Sequence, residues 1–161
     1  MEKLRLTPEL AFRVETLLAE YVDCIDDERY AEWPAFFDDR CLYKIITRDN
    51  HRRKLPIGLM YCDNRNMLRD RITSMKSANV YEPHTYRHAL SRTVLSERPD
   101  GSIGARTGYI VARIMHDGQT DLFSTGVYED SIAEVDGRLM FKERVVVIDS
   151  TSIDALLVIP L

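Results

Sequence analysis

The stretch YEPHTYRHALS, Tyr81 to Ser91, sets His84 and His88 four positions apart beside a proline, two tyrosines and an arginine. Two imidazoles at that spacing have three possible uses: holding a metal ion, moving a proton, or packing as polar groups against another element. The backbone decides among them. On a helix begun by Pro83 they would lie one turn apart and could share an ion. On a strand, positions four apart are separated by roughly 13 Å, too far for one ion. The β-branched Thr85 and the continuation ALSRTVLSE favour the strand, with His84, Tyr86, His88 and Leu90 on one face. Acid–base chemistry stays open on a strand, because a buried His or Asp lining a small apolar pocket can serve as general base. Asp26, Tyr43 and His88 are the candidates for it. The competing expectation is structural: Asp26 and Asp27 capping a second helix, and His88 a satisfied, partly buried side chain.

Other chemistries find no foothold. The chain carries no glycine-rich phosphate loop, no dinucleotide fingerprint, no His-Glu-x-x-His helix and no Gly-x-Ser-x-Gly turn. Cys24, Cys41 and Cys62 are odd in number and lack zinc-finger or iron–sulfur spacing, so reduced, mostly buried thiols are expected. A formal net charge of −4 offers no general attraction to nucleic acid. No apolar run reaches the roughly 20 residues that a membrane span needs. The opening MEKLRLTPEL lacks the apolar centre of a signal peptide, and a cytoplasmic setting is expected.

The elements that must position these residues divide the chain in two. At 161 residues, one domain over 1–161 is expected. Thr7-Pro8 pairs an N-cap residue with proline at the first helical position, and Leu10, Val14, Leu17, Leu18 and Tyr21 follow at helical spacing. A second short helix is expected from about Asp27 to Phe37, carrying Trp33. CLYKIITR reads as a strand, DNHRRKLP as a polar loop, and DNRNMLRDRITSM as a third helix with Met67, Leu68, Ile72 and Met75 inward.

From about Thr85 the pattern turns to strands. Three Asp-Gly pairs, at Asp100-Gly101, Asp117-Gly118 and Asp136-Gly137, predict three hairpin turns and four consecutive antiparallel strands. Strands of about 11–15 residues far exceed the usual length and must twist or bend. Gly104, Gly108 and Gly126 are the expected bend points. The N-terminal helices are then the only material expected to fill the hollow of a curved sheet, which makes an α+β cone. Apolar character runs beyond what one core needs: VVVID is apolar on both faces, and ALLVIPL closes the sequence without a charged side chain. Such surface is expected to meet neighbouring subunits, and the tail to be docked.

Taken in order, YVDCIDDERYAEWPAFF, LYKIITRDN, NMLRDRI, YEPHTYRHALS, GVYEDS and the closing IPL resemble the small, or beta, subunit of the aromatic-ring-hydroxylating dioxygenases. The resemblance spans nearly the whole chain, and its combination of pieces is specific. It implies the cone-shaped fold of nuclear transport factor two and ketosteroid isomerase. It also implies a non-catalytic structural subunit that needs a catalytic large subunit, usually as α3β3, with ferredoxin and reductase acting on the complex. The Rieske [2Fe-2S] cluster and mononuclear Fe(II) would belong to that partner, and this chain would hold no cofactor or metal. Within the family the chain is most similar to the branch acting on monocyclic aromatic acids, such as salicylate 5-hydroxylase and the anthranilate and terephthalate oxygenases. Trp33, Tyr43, Arg71, Tyr81, His84, Arg87, His88 and Tyr128 are the expected scaffold and interface residues. The alternative is a stand-alone isomerase, dehydratase or cyclase of the same fold, using Asp26, Tyr43 and His88.

Overall fold

The structure is a computed structural model, describing residues 3–78, 82–151 and 159–161. Helix α1 (Pro8–Asp26) starts where the Thr7-Pro8 signal puts it: Thr7 is extended, and its hydroxyl accepts from the Leu10 amide at 3.1 Å. Leu10, Val14, Leu17, Leu18 and Tyr21 are all buried, as the spacing requires. The second helix is shorter than expected, a 3-10 turn over Tyr30–Phe36. Glu28 holds φ of 59°, which breaks the helix after α1, and Pro34 lacks the amide that a longer helix would need.

Strand β1 (Phe37–Thr47) covers the expected CLYKIIT segment. The loop reading of DNHRRKLP needs correction, since a short helix α2 (Arg48–Arg52) opens it, with the Thr47 hydroxyl accepting from the Asn50 amide at 3.2 Å. A three-residue strand β2 (Met60–Cys62) then leads to α3 (Arg65–Ala78). Leu68, Ile72 and Met75 point inward on α3, whereas Met67 lies exposed on its outer side.

The remaining elements are β3 (His84–Leu90), β4 (Val94–Glu97), β5 (Ile103–Met115), β6 (Thr120–Val135) and β7 (Arg138–Ile148). One sheet runs β2-β1-β7-β6-β5-β3, and β4 pairs with β5 beyond the end of β3. Only the β1–β7 pairing is parallel among the described strands. All three Asp-Gly pairs form the turns of the β4–β5–β6–β7 meander. The glycines hold φ of 86°, 89° and 76°, and Asp136 at 50° completes a two-residue turn of the type that matches strand twist.

The bends fall elsewhere than the glycines. Register shifts occur at Val111/Ala112 and Ser131/Ile132, so β-bulges curve the long strands. Gly126 instead permits close approach, because a Cβ there would stand 2.1 Å from the Val147 carbonyl oxygen. The sheet curls without closing, and α1, the 3-10 turn and α3 pack into its hollow as an α+β cone. Helices are not its only filling. Ile159 and Leu161 are buried in the same core.

Candidate functional site

Two polar clusters lie inside the cone. The first joins α1 to β3. Asp26 ends the helix, and its carboxylate accepts from the His88 backbone amide at 2.8 Å and meets His88 Nδ1 at 2.6 Å. Both side chains are sealed from solvent. A carboxylate on Nδ1 calls for a ring proton there. Nε2 is buried and has no hydrogen-bond partner among the described residues. The exposed Arg87 guanidinium stands 3.8 Å from the same carboxylate. The expectation that Asp26 and Asp27 cap the second helix is therefore wrong: that turn begins at Tyr30, and Arg29 occupies the cap position. His88 is likewise not the fully satisfied side chain expected.

The second cluster lies among β1, β6 and β7. Arg144 and Asp130 are register partners on β7 and β6. The guanidinium donates to both carboxylate oxygens, at 2.8 and 2.7 Å, with both side chains completely buried. Its carbon lies 3.9 Å from the centre of the Tyr128 ring and 4.2 Å from those of Tyr21 and Phe141. Those ring faces supply the attraction that water would otherwise give the cation. Trp33 Nε1 donates to the Tyr21 hydroxyl at 2.9 Å, and the Tyr21 hydroxyl donates to the Leu161 carbonyl oxygen at 2.9 Å. Tyr43 embraces the same residue, accepting from the Leu161 amide at 3.1 Å and donating to its carbonyl at 2.9 Å. Burial pushes the Tyr21, Tyr43 and Tyr128 phenols upward in pKa, against the pull of the neighbouring Arg144 charge. They favour the protonated form, and Tyr21 and Tyr43 donate to the Leu161 carbonyl.

The expected site residues thus separate. Trp33, Tyr43 and Tyr128 meet in the second cluster, while His88 belongs to the first. Tyr43 is engaged with Leu161, so Asp26 and His88 come together without it. His84 is half-buried at the start of β3, its Nδ1 2.8 Å from the Glu82 carbonyl oxygen, with its ring 5.5 Å from that of Tyr86. Arg71 is half-buried on α3. Tyr81 lies outside the described residues. The residues missed were Asp130, Arg144 and Tyr21. Their signal is parity: Asp130 alternates with Tyr128, and Arg144 with Val146 and Ile148, so each charge occupies an inward position. Among the described residues, no group of three or more His, Cys, Asp or Glu could hold a metal ion.

The fold and these clusters define a class: a helix-filled cone whose interior polar groups are paired mostly with one another. The comparisons give the family. The model of the ring hydroxylating beta subunit matches residues 21–155. The chain is 38% identical, over 89% of its length and 93% of the relative's, to the beta 1 subunit of the terminal oxygenase component of terephthalate 1,2-dioxygenase from Comamonas sp. It is 32% identical, over 100% of both chains, to the anthranilate 1,2-dioxygenase small subunit of Burkholderia cepacia. A crystal structure from Novosphingobium aromaticivorans, of a beta subunit assigned to an aromatic-ring-hydroxylating dioxygenase, superposes with a TM-score of 0.86. Its identity is 33%, covering 95% of this chain and 97% of that one. This chain belongs to the beta subunits of the ring-hydroxylating dioxygenases.

Proposed function

We propose that this chain is the structural small subunit of a terminal oxygenase acting on a monocyclic aromatic acid, and that it carries no catalytic residue of the hydroxylation. In this reading it assembles with a catalytic large subunit as α3β3, in the cytoplasm. That partner holds the Rieske cluster and mononuclear iron, and ferredoxin and reductase serve the complex. The observation that carries the reading is the cone interior, where buried Tyr21 links the Asp130–Arg144 pair, Trp33 and Leu161. Apolar side chains left outside support assembly: Ile57, Leu59 and Tyr61 are exposed at alternate positions along the β2 edge, and Ile110 and Leu122 on the sheet. Terephthalate and anthranilate in the relatives' names support an aromatic acid as substrate. Salicylate 5-hydroxylation is the reaction we assign to the complex, on general similarity. Co-expression with a Rieske-type chain, native mass spectrometry and turnover on salicylate, anthranilate and terephthalate test it together. One complex with salicylate preferred is expected; no complex, or a chain active alone, refutes it.

A second reading has its own observation. The Asp26–His88 pair leaves the second ring nitrogen of His88 buried and, among the described residues, unpartnered, an arrangement a general base could use. His88→Ala separates the two. A structural His88 loses about 1–3 kcal/mol of stability with turnover per iron unchanged in complexes that form. A catalytic one loses about 10²–10⁴-fold in turnover with assembly intact.

A further inference from the structure

We infer that two surfaces of this chain dock on each other between copies: an apolar, basic edge at β2 on one copy and an apolar, acidic groove beside α1 on the next. The edge spans residues 52–61. β2 is the outermost strand of the sheet, and Ile57, Leu59 and Tyr61 stand 70%, 50% and 54% exposed at alternate positions leading into and along it. From His51 to Cys62 the sequence holds three Arg or Lys residues and no Asp or Glu. Arg53 meets Asp49 at 3.5 Å, while Arg52 and Lys54 are exposed and make no ion pair among the described residues. An exposed apolar row on a sheet edge, flanked by unmatched cations, calls for an apolar partner that carries carboxylates.

The chain carries such a surface itself. A groove of about 300 Å³ runs beside α1, with Phe12, Leu17, Phe36 and Leu139 as its apolar lining. Phe12 is 70% exposed, and Thr16 and Glu20 follow it at one-turn spacing along the same lip. Glu9, Glu15, Glu20 and Asp23 are all exposed on α1 and make no ion pair among the described residues. Of the cations at the groove, Arg13 is taken by Glu134 at 2.6 Å, which leaves Arg138 against those four carboxylates. A chain of net charge −4 repels its own copies on average, so association needs local patches of opposite sign, and these two supply them. In this contact Ile57 enters the groove of the next copy, and Arg52 and Lys54 face its Glu20 side. The two surfaces lie apart on one chain: Phe36 precedes β1, and Lys44, the register partner of Tyr61, stands roughly 25 Å further along that strand. A chain cannot fill its own groove across that span, so edge and groove meet between copies.

Sedimentation equilibrium and native mass spectrometry on the isolated full chain test the contact. Ile57→Glu with Leu59→Glu makes an edge variant, and Thr16→Arg with Glu20→Arg a groove variant. All four side chains are exposed, so both variants are expected to keep the parent's circular dichroism. The parent is expected to self-associate, less tightly as NaCl is raised. Each variant alone is expected to associate about tenfold more weakly or not at all. Mixed in equal amounts, the two are expected to form a mixed dimer, because the groove of one and the edge of the other are intact. Should a variant fail to fold, Leu59→Glu or Glu20→Arg alone takes its place with the same expectations. A monomeric parent overturns the proposal, as does an oligomer that either variant leaves unchanged, or a pair of variants that does not recombine. If the parent is monomeric and both variants fail to join a co-expressed large subunit, the two surfaces belong to that subunit and the proposal also falls. The deciding readings use this chain alone, so they do not depend on the large subunit or its reaction.

Discussion

At the residue scale, the Asp26–His88 pair joins two elements 62 positions apart, and its value lies in what each partner leaves behind if removed. Asp26→Asn keeps the shape but takes away the negative charge that matches Nδ1–H and the His88 amide. It should lower stability by about 1–3 kcal/mol, measured by chemical denaturation, because hydrogen bonds to charged groups exceed neutral ones. The thiols make a different statement. Burial pushes Cys24 and Cys41 from 9.0 up to about 11, and Tyr109 up to about 12. For each group the neutral form is favoured by the fold. Its contribution is therefore complete below the ordinary pKa and is lost as pH rises through the raised one. Stability should be flat near neutrality and fall between about pH 9 and pH 12, with thiol labelling at pH 8 slow until the chain unfolds. Rapid labelling of native protein at pH 8 would contradict the burial of these cysteines.

At the element scale, local signals were legible and long-range ones were not. Thr7-Pro8 and the three Asp-Gly pairs act within a few residues of themselves, and each formed the cap or turn it specifies. The expected Asp27–Phe37 helix is cut to a 3-10 turn because Pro34 and the left-handed Glu28 act against a spacing of Tyr30, Trp33 and Phe36 that fits a helix. Glycine in a long strand suggests a bend, whereas Gly126 answers to the Val147 carbonyl across the ladder, a contact that register alone creates. Gly126→Ala is accordingly expected to force β6 and β7 apart and cost more than the roughly 0.5–1 kcal/mol that alanine gains over glycine in a regular strand. A Tm above the parent's would show that the strands absorb the methyl group. The Asp130–Arg144 pairing was hidden for the same reason. Each charge occupies an inward position by parity, but only the β6–β7 register brings the two together.

At the scale of the whole molecule, the cone is closed from within by material remote in sequence. Tyr21 on α1 and Tyr43 on β1 both hold Leu161, across separations of 140 and 118 residues. The first helix, the first strand and the last described residues therefore meet at one point, and that point adjoins the buried Arg144. Of the segment expected to dock, ALLVIPL, Ala155–Val158 lies outside the described residues, and Ile159–Leu161 is buried. Fully burying Ile159 and Leu161 is worth roughly 1.5–3 kcal/mol each. Their loss is then a large fraction of the roughly 5–15 kcal/mol that holds a domain folded, yet smaller than most of that range. Deleting Leu156–Leu161 is thus expected to leave a folded chain with a clearly lowered Tm, and a smaller yield of complex when a large subunit is co-expressed. Calorimetry on the isolated chain and native mass spectrometry on the co-expressed one separate the two losses. A truncated chain that melts and assembles like its parent would mean that Tyr21 and Tyr43 gain nothing by holding Leu161, and that the cone closes without it.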